Sequence, residues 1–360
     1  MRLRLLPLVI AAAPAALAAQ GTAVRAGPQY VSYTIGGSVD RTISQFAVPI
    51  AVILPVTSKF SIDIGTAFAT STVTSGGGSS SISGLTDTQI RANYAFGANV
   101  ILTIGLNAPT GKSTLDPTQV VAASLVGSDL LGFPVPSMGT GFAATAGLAV
   151  AGDAGEWTLS AGASMRKATQ YQPFSDTTGG ANYKFTPGDE YRVRVGADRA
   201  AGAGHVSLGM SYSAFGSDLA QTATPTTYST GNRLLTQALY ARPLGDGGKE
   251  FFLTMWDLYT SEGQLLGGLA PSQNIFNLGA ALALHKGDLV FEPNLEGRLW
   301  SRTGGGGFIG TGGLRIRIPA GNFIVYPGAA ASFGSLTDPG TSSSASFSGY
   351  RASLTIHWVP

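Results

Sequence analysis

The stretch Gly105-Leu-Asn-Ala-Pro-Thr-Gly111-Lys112-Ser113 most invites a chemical reading. It follows an extended segment and ends in Gly-Lys-Ser, residue types that cradle a nucleotide's phosphates with backbone N–H groups and one ammonium. That chemistry needs four residues between the first glycine and the Gly-Lys pair, and an apolar helix opening at the lysine. Here five residues intervene, and Leu115-Asp116-Pro117 follows. The spacing argues against nucleotide binding. Pro109-Thr110-Gly111-Lys112 reads instead as a turn at the end of a strand, with proline and glycine setting the backbone.

The charges that alternate with apolar residues are more informative. Glu190, Arg192 and Arg194 interleave with Tyr191, Val193 and Val195. A helix would scatter these charges around its axis, whereas a strand collects them on one face. The same alternation assigns Asp63, Asp87, Arg91, Arg166, Glu190, Arg192, Arg194, Glu292, Glu296, Arg298, Arg315, Arg317 and Arg351 to a wet face, with the opposite face left apolar. An arginine directed at lipid near a bilayer midplane costs ~2–4 kcal/mol, so a polar interior is where such residues belong. Lining a pore, they would tune what passes. Pairing with one another, as the spacing of Glu190 with Arg192 and of Glu296 with Arg298 allows, they would close it.

The elements that position these residues follow a hairpin rhythm. Residues 87–96 alternate strictly, a turn at Gly97-Ala98 follows, and 99–107 return. A long polar connection, 108–139, then leaves from the other end. Short turn, long loop and period-two alternation write one hairpin of a transmembrane β-barrel. The pattern continues through 28–35, 42–54, 60–73, 141–151, 157–171, 190–197, 205–215, 232–242, 250–260, 273–285, 288–302, 308–318, 322–333 and 347–358. This predicts an all-β, antiparallel up-and-down barrel of about sixteen strands, or fourteen on a stricter count, with both ends on the short-turn side. The Gly/Ser run 74–81 and the Gly-rich 303–307 read as loops, and 117–131 as a short helix inside the longest connection, started by Asp116 and Pro117. Aromatics at segment ends (Tyr94, Phe96, Trp157, Tyr240, Trp300 and Trp358) fit the belts at membrane interfaces.

Composition agrees. Only 12% of residues are charged, about half the usual ~25%, and mean hydropathy is +0.20 with no later apolar run of the ~20 residues a spanning helix needs. Met-Arg-Leu-Arg, an apolar run and Ala16-Leu17-Ala18 make a signal peptide over 1–18, leaving 19–360 as one barrel domain in a Gram-negative outer membrane. Without Arg2 and Arg4 the 22 basic residues fall to 20, matching the 20 acidic ones, so no nucleic-acid partner is expected. There is no cysteine, hence no disulfide framework. His205, His285 and His357 fall at the short-turn ends of their segments, away from the outer leaflet, and no metal-ligand spacing appears. No catalytic residue, metal or cofactor is expected. The final strand, alternating Tyr350, Ala352, Leu354, Ile356 and Trp358 with polar residues, resembles the terminal strand that barrel assembly machinery recognises. Outer-membrane lipid and a small-molecule solute are the other expected partners.

The order Gly84-Leu-Thr-Asp87-Thr88, an alternating strand, a short turn, and Gly105 to Lys112 resembles the outer-membrane barrels associated with the meta-pathway of phenol degradation. In layout the chain is also distantly similar to long-chain fatty acid and aromatic-hydrocarbon transporters. Thr86 stands where a second glycine is usual. The resemblance covers the hairpin alone. It implies a barrel that lets small, hydrophobic or aromatic, organic molecules cross the outer membrane. The alternative, from a different class, is a structural or adhesive barrel with a closed lumen.

Overall fold

The computed structural model describes residues 21–37, 39–175, 183–221, 226–245, 248–265, 268–337 and 343–358. The expected signal segment and Val359-Pro360 lie outside them. Among these residues sixteen antiparallel strands close into one barrel. They are β1 (Ala23–Ala26 and Gln29–Ile35), β2 (Arg41–Pro55), β3 (Phe60–Ser75), β4 (Gly78–Leu85 and Thr88–Phe96), β5 (Val100–Ala108), β6 (Ala143–Ala154), β7 (Trp157–Ala168) and β8 (Glu190–Ala201). They continue as β9 (Gly204–Phe215), β10 (Arg233–Pro243), β11 (Lys249–Thr260), β12 (Gln273–Lys286), β13 (Leu289–Arg302), β14 (Gly305–Ala320), β15 (Phe323–Thr337) and β16 (Ser344–Trp358). β16 returns to pair β1, with Arg351 opposite Val31 and Ser353 opposite Gln29. Closure leaves no strand edge unpaired, which is what a sheet in hydrocarbon requires. Among the described residues no helix is long and apolar enough to cross a membrane.

Cross-strand partners share a face. The residues opposite Val193 are Ala163 and Tyr212, and those opposite Arg192 are Ser164 and Ser213. Val193 and its partners face outward, where Tyr191, Val193 and Val195 are exposed; Arg192 and its partners point into the barrel. Trp157, Tyr240 and Trp358 also face outward near the short-turn end. Trp300 does not. It shares a face with Arg298, packs on the internal core and donates from Nε1 to Gln273 Oε1 at 3.3 Å. Its expected place in the interfacial belt is therefore corrected; position near a strand end says nothing about face, and parity decides.

The two glycine-rich runs are also corrected. Residues 74–81 are a hairpin tip: β3 runs to Ser75, Gly76 and Gly77 turn at φ +57° and +84°, and β4 begins at Gly78. Two successive positive φ values are the mirror-image turn that matches strand twist, and glycine adopts them without steric cost. A two-residue turn also joins β13 to β14 through Thr303-Gly304, Gly304 at φ +76°, with strand from Gly305. At the loop end, short strands at Lys184–Thr186, Ser217–Gln221, Thr226–Ser229, Gly263–Leu265 and Gly268–Ala270 form a separate small sheet. It extends the wall beyond β7 to β12.

Candidate channel

The connection 109–142 does not stand over the mouth. It folds inward. Its helical part is a 3-10 turn, Pro117–Gln119, and a helix, Val120–Val126 (α1), shorter than the expected 117–131 because Gly127 ends it. After α1, Leu130, Leu131, Phe133, Val135 and Met138 are all buried. They meet inward-facing Val31, Tyr33, Ile43, Ile82, Ile275, Ile309, Leu336 and Phe347 in one apolar core inside the barrel. Phe133 is fully buried, its ring 5.3 Å from that of Tyr33. Burying such a side chain contributes ~1.5–3 kcal/mol, which is what holds a loop of this length in the lumen.

Polar anchors fix its depth. Gln45, 1% exposed within an apolar stretch of β2, donates from Nε2 to Val135 O at 2.7 Å and accepts from Val135 N–H at 2.9 Å. A buried amide making both bonds substitutes for a strand partner at this point. Ser80 Oγ donates to Thr118 O and accepts from Ala122 N–H at 3.3 Å, so the Gly/Ser hairpin receives the start of α1. On the far wall Arg233 pairs with Asp129 at 3.3 Å, and Arg298 Nη1 donates to Leu130 O. The loop thus runs from β2 across to β10 and β13.

Both stems of the loop meet at Asp87. Here β4 carries one extra residue against β3: Leu85 faces Phe68 and Gln89 faces Gly65, leaving three residues opposite two. This bulge shifts the inward parity from even to odd, and Thr86 repairs the ladder by accepting from Ala67 N–H on its Oγ1 at 2.8 Å. The Asp87 carboxylate accepts from Gly111 N–H at 3.0 Å, Thr140 N–H at 2.7 Å and Asn107 Nδ2 at 2.9 Å, while its own N–H donates to Met138 O at 2.9 Å. A Cβ on Gly111 would lie 2.1 Å from Met138 O, so only glycine passes there. The Gly-Leu-Thr-Asp and Pro-Thr-Gly-Lys elements are the two halves of this clamp.

The remaining expected residues all face inward and fall on two walls. Asp63, Arg91, Arg166, Glu190, Arg192 and Arg194 line β3, β4, β7 and β8. Glu292, Glu296, Arg298, Arg315, Arg317 and Arg351 line β13, β14 and β16. Arg192 pairs with Glu190, Arg315 with Glu292, and Arg298 Nη2 with Glu296 Oε1 at 2.5 Å; Arg91 stands 4.0 Å from Asp63. Trp256, Arg25 and Arg233, which sequence reasoning did not single out, join the inward set: Arg298 lies over the Trp256 ring at 5.5 Å. Polarity does not alternate along β10 and β11, where Leu235, Leu239, Phe252 and Leu258 share the inward face and Asp257 takes the outward one, so no sequence signal marks Trp256 or Arg233.

The walls differ in what covers them. The core of the loop rests on β1 to β4 and on β12 to β16. Between them, the inward positions of β6 to β9 carry small residues such as Gly147, Ser160, Gly162, Ser164, Gly209 and Ser211 beside the arginines. Beside the stem lies a cavity of about 240 Å³ lined by Ile82, Lys112, Val126, Met138, Tyr171 and Phe174. Burial pushes the Tyr171 phenol up from its usual range, with Asp218, Tyr183 and Asp87 adding to the effect. His205 and His357 face inward at the short-turn end, His205 Nε2 lying 3.3 Å from Asp198 Oδ1. Among the described residues no cluster of three His, Cys, Asp or Glu could hold a metal.

A closed, water-facing-inside and apolar-outside barrel with long loops at one end defines the outer-membrane class. No family model and no curated protein matches the chain. Among solved structures, CdiB from Acinetobacter baumannii is similar with a TM-score of 0.50 at 10% identity, over 92% of this chain and 60% of that one. A mutant of the TodX monoaromatic hydrocarbon channel gives 0.46 at 9%, over 96% and 93%. OpdK of Pseudomonas aeruginosa, with vanillate, gives 0.46 at 8%, over 93% and 98%. At such identities what is shared is the fold: the chain is built as outer-membrane β-barrels are.

Proposed function

We propose that this barrel is a passive outer-membrane pore for small organic solutes, its long loops toward the exterior. The observation that carries the reading is the asymmetry of the lumen. The inward loop is seated on one side by an apolar core, and the other side keeps a wall of glycine, serine and arginine. A protein that needed only to be closed has no use for a small-residue wall opposite its plug. The cavity beside the stem, mostly apolar with Lys112 and Tyr171, supplies a place at the mouth for a solute with an apolar body. Export through a signal peptide, lipid contact along the outward face and assembly through β16 complete the proposal.

The closed-lumen reading is favoured by one fact, the continuity of the loop core with the barrel wall. Liposome swelling separates the two. Vesicles carrying the refolded protein are expected to swell in small sugars faster than protein-free vesicles. No swelling with any solute would favour the closed barrel.

A further inference from the structure

Taking the pore reading as its basis, we infer that the open wall selects small organic anions, carboxylates in particular. Inward charge here is lopsided. Arg91, Arg166, Arg192 and Arg194 face the lumen from β4, β7 and β8, and Arg194 lies within electrostatic reach of Arg192 and Arg91 as well as of Glu190. Glu190 engages Arg192, and Asp63 stands at the 4.0 Å limit from Arg91. No ion pair closes on Arg166 or Arg194 among the described residues. The arginines occupy successive levels of the wall, Arg166 opposite Glu190, Arg192 opposite Ser164 and Arg194 opposite Gly162; four guanidinium groups against two carboxylates are unfavourable for the barrel itself, so they point to a counter-charge that comes and goes.

Arg91 and Arg192 are reached from the lumen, whereas Arg298 of the opposite wall lies under the loop. The side chain of Arg298 is 13% exposed, held by Glu296, by Leu130 O and over Trp256. Those of Arg91 and Arg192 are 46% and 36% exposed. The loop therefore covers Arg298, while Arg315 on the same wall, at 36%, is as exposed as Arg192. A guanidinium fork meets the two oxygens of a carboxylate in plane, and several forks along one wall offer successive weak holds instead of one tight one. The small inward residues between them, Gly147, Gly162 and Ser164, leave room for the solute's body.

The test is the reversal potential of the reconstituted full-length barrel across a planar bilayer in a potassium chloride gradient, followed by bi-ionic potentials of potassium benzoate against potassium chloride. The expected result is anion preference, with benzoate permeant. Arg194→Gln and Arg166→Gln should each lower the anion-to-cation permeability ratio roughly sevenfold, one unit charge felt across ~7 Å of water changing the anion about threefold and the cation about threefold in the opposite sense. Arg194→Lys should keep the preference, and Arg199→Gln, on the outward face of β8, should not change it. Because Arg→Gln could disturb the barrel, each variant is first shown to fold by its heat-dependent electrophoretic mobility. Channels that prefer cations, or a preference unmoved by the glutamine substitutions, overturn this inference and leave the pore reading intact. A bilayer that never conducts overturns both.

Discussion

Asp87→Ala is expected to release the inward loop and raise single-channel conductance severalfold, with the barrel still folded. The carboxylate is the shared acceptor for Gly111 N–H, Thr140 N–H and Asn107 Nδ2. Removing it leaves these donors, in a site where Asp87 is 8% exposed, without a partner. Each unsatisfied buried donor costs ~1–3 kcal/mol, though the terms do not add in full. No sheet ladder depends on the side chain, since Thr86 and the β4–β5 pairs from Thr88 onward carry the register. The loss falls on loop docking alone. Protease added outside intact cells or proteoliposomes should then cut between residues 109 and 142, where the unsubstituted protein resists. A variant with an equally protected loop and unchanged conductance would show that the clamp does not hold it.

Phe133→Ala is the second large effect. The ring is fully buried between the loop and the barrel wall, against Tyr33, and Phe→Ala in a core costs ~3–5 kcal/mol, including the cavity left behind. Sixteen strands paired all round do not depend on that cavity, so the temperature at which the barrel loses its compact electrophoretic mobility should stay within a few degrees. The expected signature is therefore divided. The barrel melts as before, while single-channel records become noisy because the loop now leaves and returns. Quiet records together with an unchanged barrel would mean that Phe133 does not hold the loop; a collapsed barrel would mean that the loop core supports the whole fold.

Much of the wall is legible from alternation alone, because in a strand parity is geometry: Arg192 and Arg194 face one way and Val193 the other whatever the rest does. Parity fails to announce itself only where the chain skips a beat. The bulge at Thr86–Asp87 flips inward positions from Ser80 and Ile82 to Gln89 and Arg91. Both segments are regular on their own, so nothing local marks the shift. Residues 74–81 read as a loop because Gly and Ser usually mean a flexible connection, whereas here they form a tight turn and a strand whose serine receives α1. The inward fold of 109–142 has a visible cue that hairpin logic passes over. Val120, Val126, Leu130, Leu131, Phe133 and Val135 are too apolar for a water-exposed loop, and Gln45 is a lone amide in an apolar strand. Each needs the other to make sense, and Gln45 and Val135 are 90 residues apart in sequence.

In the proposed pore the inward loop narrows a barrel that would otherwise conduct more freely. Single-channel conductance of the chain lacking residues 117–131, compared with the full chain in the same planar bilayer, tests it most directly. A clear rise is predicted, because the deletion removes α1 and the Asp129 and Leu130 contacts to Arg233 and Arg298 while leaving every barrel strand in place. Equal conductance of the two would show that the loop does not narrow the barrel.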